Sequence, residues 1–222
     1  MWIKEGAKKG AKLKDMYSIS GVDVFIKDKL PDEIDAEFVF KYISSRVPAH
    51  LIDGVDIIYI GKFPYMIEKG FNAYYEDGAI YITNEQDNDR DMIEDIVHEI
   101  AHACEGLYHD QVYGSGSMFS EFKKRRGLLA DLLDQLYDLP PNFRTKIEYD
   151  EEIDLFLYET VGYDALNQIC TGIFISAYAA TSINEYFARG FEEYCMDNKK
   201  ELAQVCPALF TKIKSLHKME DQ

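Results

Sequence analysis

"VHEIAHACEGLYHD", residues 97–110, holds three of the chain's five histidines. The spacing predicts one long helix over about residues 88–108. At 100° per residue, Ile93, Ile96, Val97, Ile100, Cys104 and Leu107 fall on one apolar stripe. Asp91, Asp95, His98, His102, Glu105 and His109 fall opposite it, so neither His98 nor His102 is expected in the core. Four residues of separation stacks two imidazoles on one helix face. Both can reach one tetrahedral ion at a Zn–N distance of about 2.0–2.1 Å. Glu99 follows His98 and points to the flank of the pair, where it can act on a zinc-bound water without being a ligand. This is the mechanical content of H-E-x-x-H. The bland rival is a solvated polar helix face.

A catalytic zinc site needs a third protein ligand. The long form HExxHxxGxxH would put glycine at 105 and histidine at 108. Here Gly106 and His109 each stand one position late, which counts against His109. The other candidate lies in "SAYAATSINEYFARGFEEYC", residues 176–195. There Ile183, Tyr186, Phe187, Phe191 and Tyr194 form an apolar stripe, with Glu185 and, two turns on, Glu192 on the other side. Two helices of this kind can hold one metal between them. Ser182 and Glu185 also read as a capping box, S-x-x-E, which explains Glu185 without metal.

His98-Glu99-Ile100-Ala101-His102, then Tyr178, then Glu185-Tyr186-Phe187-Ala188 and Phe191 resembles the anthrax lethal factor-type metallopeptidases, a group that includes the clostridial Pro-Pro endopeptidases. The resemblance implies a zincin-like fold, zinc held by His98, His102 and Glu185, Glu99 as general base, and Tyr178 as a hydrogen-bond donor to the oxyanion. It also implies a zinc-dependent endopeptidase whose substrate lies extended along an edge strand, for which "AYYEDGAIYIT" (73–83) is the counterpart. The likeness covers about residues 71–109 and 176–195, and leaves 110–175 as an unmatched helical insertion. Arg189 stands where such enzymes can carry another acid, which leaves the support of the ligands unassigned. Tyr178 is one of sixteen tyrosines, most of which pack with a satisfied hydroxyl.

The rest of the chain frames this site. "GVDVFIK" (21–27) and "VDIIYIG" (55–61) read as strands. Residues 31–47 read as a helix opened by Pro31. Asp77-Gly78 turns a hairpin over 71–83. After a flexible "GSGS" loop at 114–117, helices are expected over 119–138, 150–161, 163–170, 181–198 and 207–219. Strands first and helices after argues for an α+β fold. No Pro/Gly/Ser-rich linker divides it, so one domain is expected over 21–219, preceded by a basic arm over 1–20.

The formal charge of −16 argues against a nucleic-acid partner, whose phosphates would be repelled. It permits a basic partner or substrate, while acid spread through the chain also serves solubility alone; for the protein or peptide substrate that the resemblance implies, it leans toward basic peptides. No run is long and apolar enough to span a bilayer, and no secretory signal is seen. Cys104, Cys170, Cys195 and Cys206 form no CxxC pair and read as buried thiols, which fits a reducing compartment and a cytoplasmic location. The alternative reading is a non-catalytic binding or structural component, part of a larger assembly, that keeps a zincin frame.

Overall fold

The computed structural model describes residues 16–219. Of the basic arm expected over 1–20, residues 1–15 lie outside the described ones, while Met16–Ile19 form a strand, β1. The fold class is α+β, and the chain divides after Leu107 into two compact units.

The first unit is built on a five-stranded mixed sheet of order β1-β2-β3-β5-β4. Its other strands are β2 (Val22–Ile26), β3 (Ile57–Ile60), β4 (Ala73–Glu76) and β5 (Ala79–Ile82). β2, β3 and β5 run parallel, and the two outer strands pair antiparallel to them. Strand alternation sorts the side chains. Val24, Ile58, Ile60, Ile80 and Ile82 are fully buried on one face, each worth about 1.5–3 kcal/mol relative to exposure. Phe25, Tyr59, Tyr81 and Tyr74 form a half-buried aromatic row on the other, and Tyr74 stacks on Tyr81 at 4.6 Å. The expected hairpin is present. Asp77 and Gly78 have φ of 48° and 83°, the pair of positive angles that a two-residue type I′ turn requires.

Helix α1 spans Ala36–Arg46, starting later than Pro31. Asp35 caps it, its carboxylate accepting from Phe38 N at 3.0 Å. Pro31 instead closes a turn with Ile34. A short helix, α2 (Pro64–Lys69), enters between β3 and β4, where none is expected. Helix α3, Asp89–Leu107, matches the expected histidine helix and packs against α1, β4 and β5.

The second unit is helical: α4 (His109–Tyr113), α5 (Ser117–Leu133), α6 (Glu151–Leu155), α7 (Tyr163–Cys170), α8 (Ile183–Cys195), α9 (Lys199–Val205) and α10 (Pro207–Leu216). The expected loop at 114–117 is a tight link, with Gly116 at φ 68° immediately before α5. α5 ends at Leu133, short of 138, and the helix expected over 150–161 changes to a π-helical turn at Phe156–Val161. α8 buries Ile183, Tyr186, Phe187, Phe191 and Tyr194, the stripe expected from its period. Glu121 of α5 binds the start of α10, accepting from Ala208 N at 2.9 Å and Leu209 N at 3.1 Å. It also accepts from Tyr186 Oη of α8 at 2.7 Å. Among the described residues, no helix is long and apolar enough to cross a membrane.

Candidate metal centre

Helix α3 positions the histidines by its period. Ile93, Ile96, Val97, Ile100 and Cys104 are buried as the stripe predicts. Leu107, placed on the same stripe, is 51 % exposed because the helix ends there. His98 and His102 are half-buried, one helical turn apart. Their Nε2 atoms lie 3.2 Å from each other. Two nitrogens bound to one zinc at about 2.0–2.1 Å with a tetrahedral angle stand about 3.3–3.4 Å apart. The observed spacing therefore fits a shared ion.

The side opposite the stripe is only partly solvated, unlike the fully solvated polar face of the bland rival. Glu105, expected on that face, is buried, and its Oε2 lies 3.6 Å from Nδ1 of His102. A carboxylate on this side of the ring can orient the imidazole so that Nε2, the atom facing His98, is presented to a metal. Glu99, between the histidines in sequence, is also buried.

Helix α8 carries the third group. Ser182 caps it, its Oγ accepting from Glu185 N at 3.1 Å, so the serine half of the capping box is formed. The Glu185 carboxylate nevertheless belongs to a second grouping. His98, His102 and Glu185 each offer one ligand atom, and these atoms all lie within 4.8 Å of one another, so the group could hold a metal ion. Among the described residues no other set of three histidine, cysteine or acidic side chains meets that condition. Two imidazoles and one carboxylate are a donor set suited to zinc with a position left open.

His109 is not part of this group. It begins α4, lies exposed, and pairs with Asp110 at 3.7 Å. Glu192, expected beside Glu185 on a polar face, is buried and accepts from Arg189 Nη1 at 2.6 Å. Arg189 also lies 3.7 Å from Glu193. Arg189 thus serves a buried carboxylate on its own helix.

Tyr178 sits in a 3-10 turn, Tyr178–Ala180, and is 42 % exposed. Its ring meets that of Tyr163 at 6.4 Å. The Tyr163 phenol is pushed up to about 12, first by burial and then by the charges of Asp154 and Glu185. Asp154 is itself raised by burial, with Glu185 adding to the rise and a hydrogen bond from Tyr149 opposing it. Asp154 and Tyr163 therefore share an electrostatic neighbourhood with Glu185. Both fall in the stretch expected to be an insertion, and no sequence spacing links them to the motif.

All four cysteines are free and buried. Burial pushes the thiols of Cys104 and Cys170 up to about 12, which suits core packing and not thiolate ligation. Compared with protein-family models, curated proteins and solved structures, the chain matches none of them.

Proposed function

We propose that the protein is a zinc-dependent endopeptidase of a zincin-like, lethal factor-related type, with His98, His102 and Glu185 as ligands. The observation that carries the reading is the grouping of their three ligand atoms within 4.8 Å, with Glu99 following His98 in the H-E-x-x-H order. When bound, zinc supplies a Lewis acid and an acidified water.

The chain's own residues do the rest. Glu99 takes a proton from the attacking water and delivers it to the nitrogen of the leaving amine. Its burial keeps bulk water from competing for that proton. Tyr178 donates from its hydroxyl to the scissile carbonyl oxygen as that atom becomes negative, a contribution of about 2.7–4 kcal/mol for one such donor. β4 ends the sheet order, and its outer backbone groups can bind an extended peptide as an added strand. The formal charge of −16 makes basic peptides the favoured class.

Elemental analysis of the purified protein, with cleavage of a diverse peptide library measured in the presence and absence of chelator, tests the reading. One zinc per chain and cleavage that chelator abolishes are expected. Zinc without cleavage would favour a non-catalytic binding component, and a chain that takes up no metal would remove the proposal.

A further inference from the structure

Arg126 of α5 is 1 % exposed. Its guanidinium lies between two rings, 5.0 Å from the centre of Phe122 and 4.9 Å from that of Phe143. Among the described residues it forms no direct ion pair with a carboxylate, although the charge of Asp150 acts on it favourably. It instead donates to two backbone carbonyls, from Nη1 to Phe143 O at 3.3 Å and from Nη2 to Thr181 O at 2.8 Å. Its Nε, also buried, has no hydrogen-bond partner. Burial draws the guanidinium down to about 10.

A buried cation with no carboxylate in direct contact is expensive, and an apolar side chain of similar length would fill the space at less cost. Nor does the helix dipole explain it. Thr181 immediately precedes the first turn of α8, and a cation at a helix N-terminus is on the unfavourable side. What the arginine supplies is a rigid fork that holds two carbonyls at fixed separation.

The Thr181 carbonyl stands where the chain enters α8. Ser182, the next residue, caps α8 through Glu185 N. Ile183 N donates to Ile147 O at 2.8 Å. The first turn of α8 is thus pinned from Arg126, Ser182 and Ile147, and Glu185 projects from that turn.

We propose that Arg126 is a positioning residue for Glu185: its fork between Phe143 O and Thr181 O sets the start of α8 and so the direction in which the carboxylate is presented. The proposal rests on the reading of Glu185 as a metal ligand.

Zinc affinity of the full chain, measured by competition with a chelating dye, tests it across wild type, Arg126→Met, Glu185→Ala and the double variant. Thermal melts of the chelator-treated proteins establish that each is folded. Arg126→Met is expected to weaken zinc binding about 10- to 100-fold, the range for loss of a group that orients a ligand. The double variant should bind no more weakly than Glu185→Ala alone, because both changes act through one carboxylate. Unchanged affinity in Arg126→Met, or losses that add in the double variant, would overturn the proposal. If Arg126→Met does not fold, Arg126→Lys carries the same comparison. It keeps the charge and loses the fork, and wild-type affinity there would equally overturn the positioning role. A wild-type chain that binds no zinc would instead remove the metal reading on which the proposal stands.

Discussion

Glu105 Oε2 lies 3.6 Å from Nδ1 of His102, three residues away on the same helix, and Glu105 is 5 % exposed. A buried acid there is costly unless it has a task or a partner. The His102 imidazole is the partner beside it, and orienting that ring is a task it can perform.

Glu105→Gln should therefore weaken zinc affinity by about 10- to 100-fold, the effect usual for loss of a carboxylate behind a ligating histidine. The amide keeps the volume but not the charge. Dye-competition titration at neutral pH measures it. Equal affinity in wild type and variant would show that Glu105 does not orient His102.

Glu99→Gln separates metal binding from turnover. Glu99 is not among the grouped ligand atoms, so zinc content should stay near the wild-type level. Peptide hydrolysis should fall by about 10²- to 10⁴-fold, the range for loss of one general base. A variant that cleaves as fast as wild type would exclude Glu99 as the base.

Alkaline pH should destabilise the fold from about pH 9 upward. Burial raises the Cys104 thiol from its ordinary 9.0 to about 12, and Cys170 likewise. Tyr163 rises from 10.0 to about 12. An acid with a raised folded pKa loses its proton first in the unfolded chain. Stability is then fully present below pH 9 and is lost as pH climbs from 9 toward 12, with a slope of roughly 1.4 kcal/mol per unit for each fully buried thiol. Urea unfolding at a series of pH values checks this, and a flat midpoint from pH 8 to about 10.5 would contradict the burial of these thiols.

The parts of this architecture that are legible in the sequence share a local cause. The 3.6-residue period marks the core stripes of α3 and α8, and Asp77-Gly78 marks the hairpin because both turn angles must be positive. His98 and His102 are readable from spacing, whereas Glu185 stands out through a motif resemblance. The hidden parts depend on distant neighbours. The parallel pairing of β2, β3 and β5 joins segments dozens of residues apart. α2 and α9 have 6 and 7 residues, too few to show a period. The start of α1 is ambiguous in sequence because Asp32 and Asp35 can both cap a helix, and only the Asp35 bond to Phe38 N selects one. Glu105 and Glu192 look solvated in sequence because charge usually is. Buried, they lie beside His102 and Arg189.

Gly190→Ala probes the packing that carries Glu185. A Cβ built on Gly190 would lie 2.3 Å from Leu209 Cδ2 and 2.7 Å from its Cγ. Leu209 is fully buried, so its side chain has no open space into which to turn. Alanine in a helix interior gains about 0.5–1 kcal/mol over glycine from backbone entropy. Overpacking a closed core costs typically about 1–3 kcal/mol. The gap of more than 1 Å to ordinary contact puts this site at the costly end, since α8 and α10 must separate for the methyl to fit. A net loss of about 1–2 kcal/mol is expected in urea unfolding of the chelator-treated protein. Zinc affinity of the folded variant should fall less than in Arg126→Met, because Gly190 lies beyond the first turn of α8 and the bonds at Thr181, Ser182 and Ile183 remain. A variant as stable as wild type would show that α8 and α10 do not approach as closely as Gly190 and Leu209 indicate.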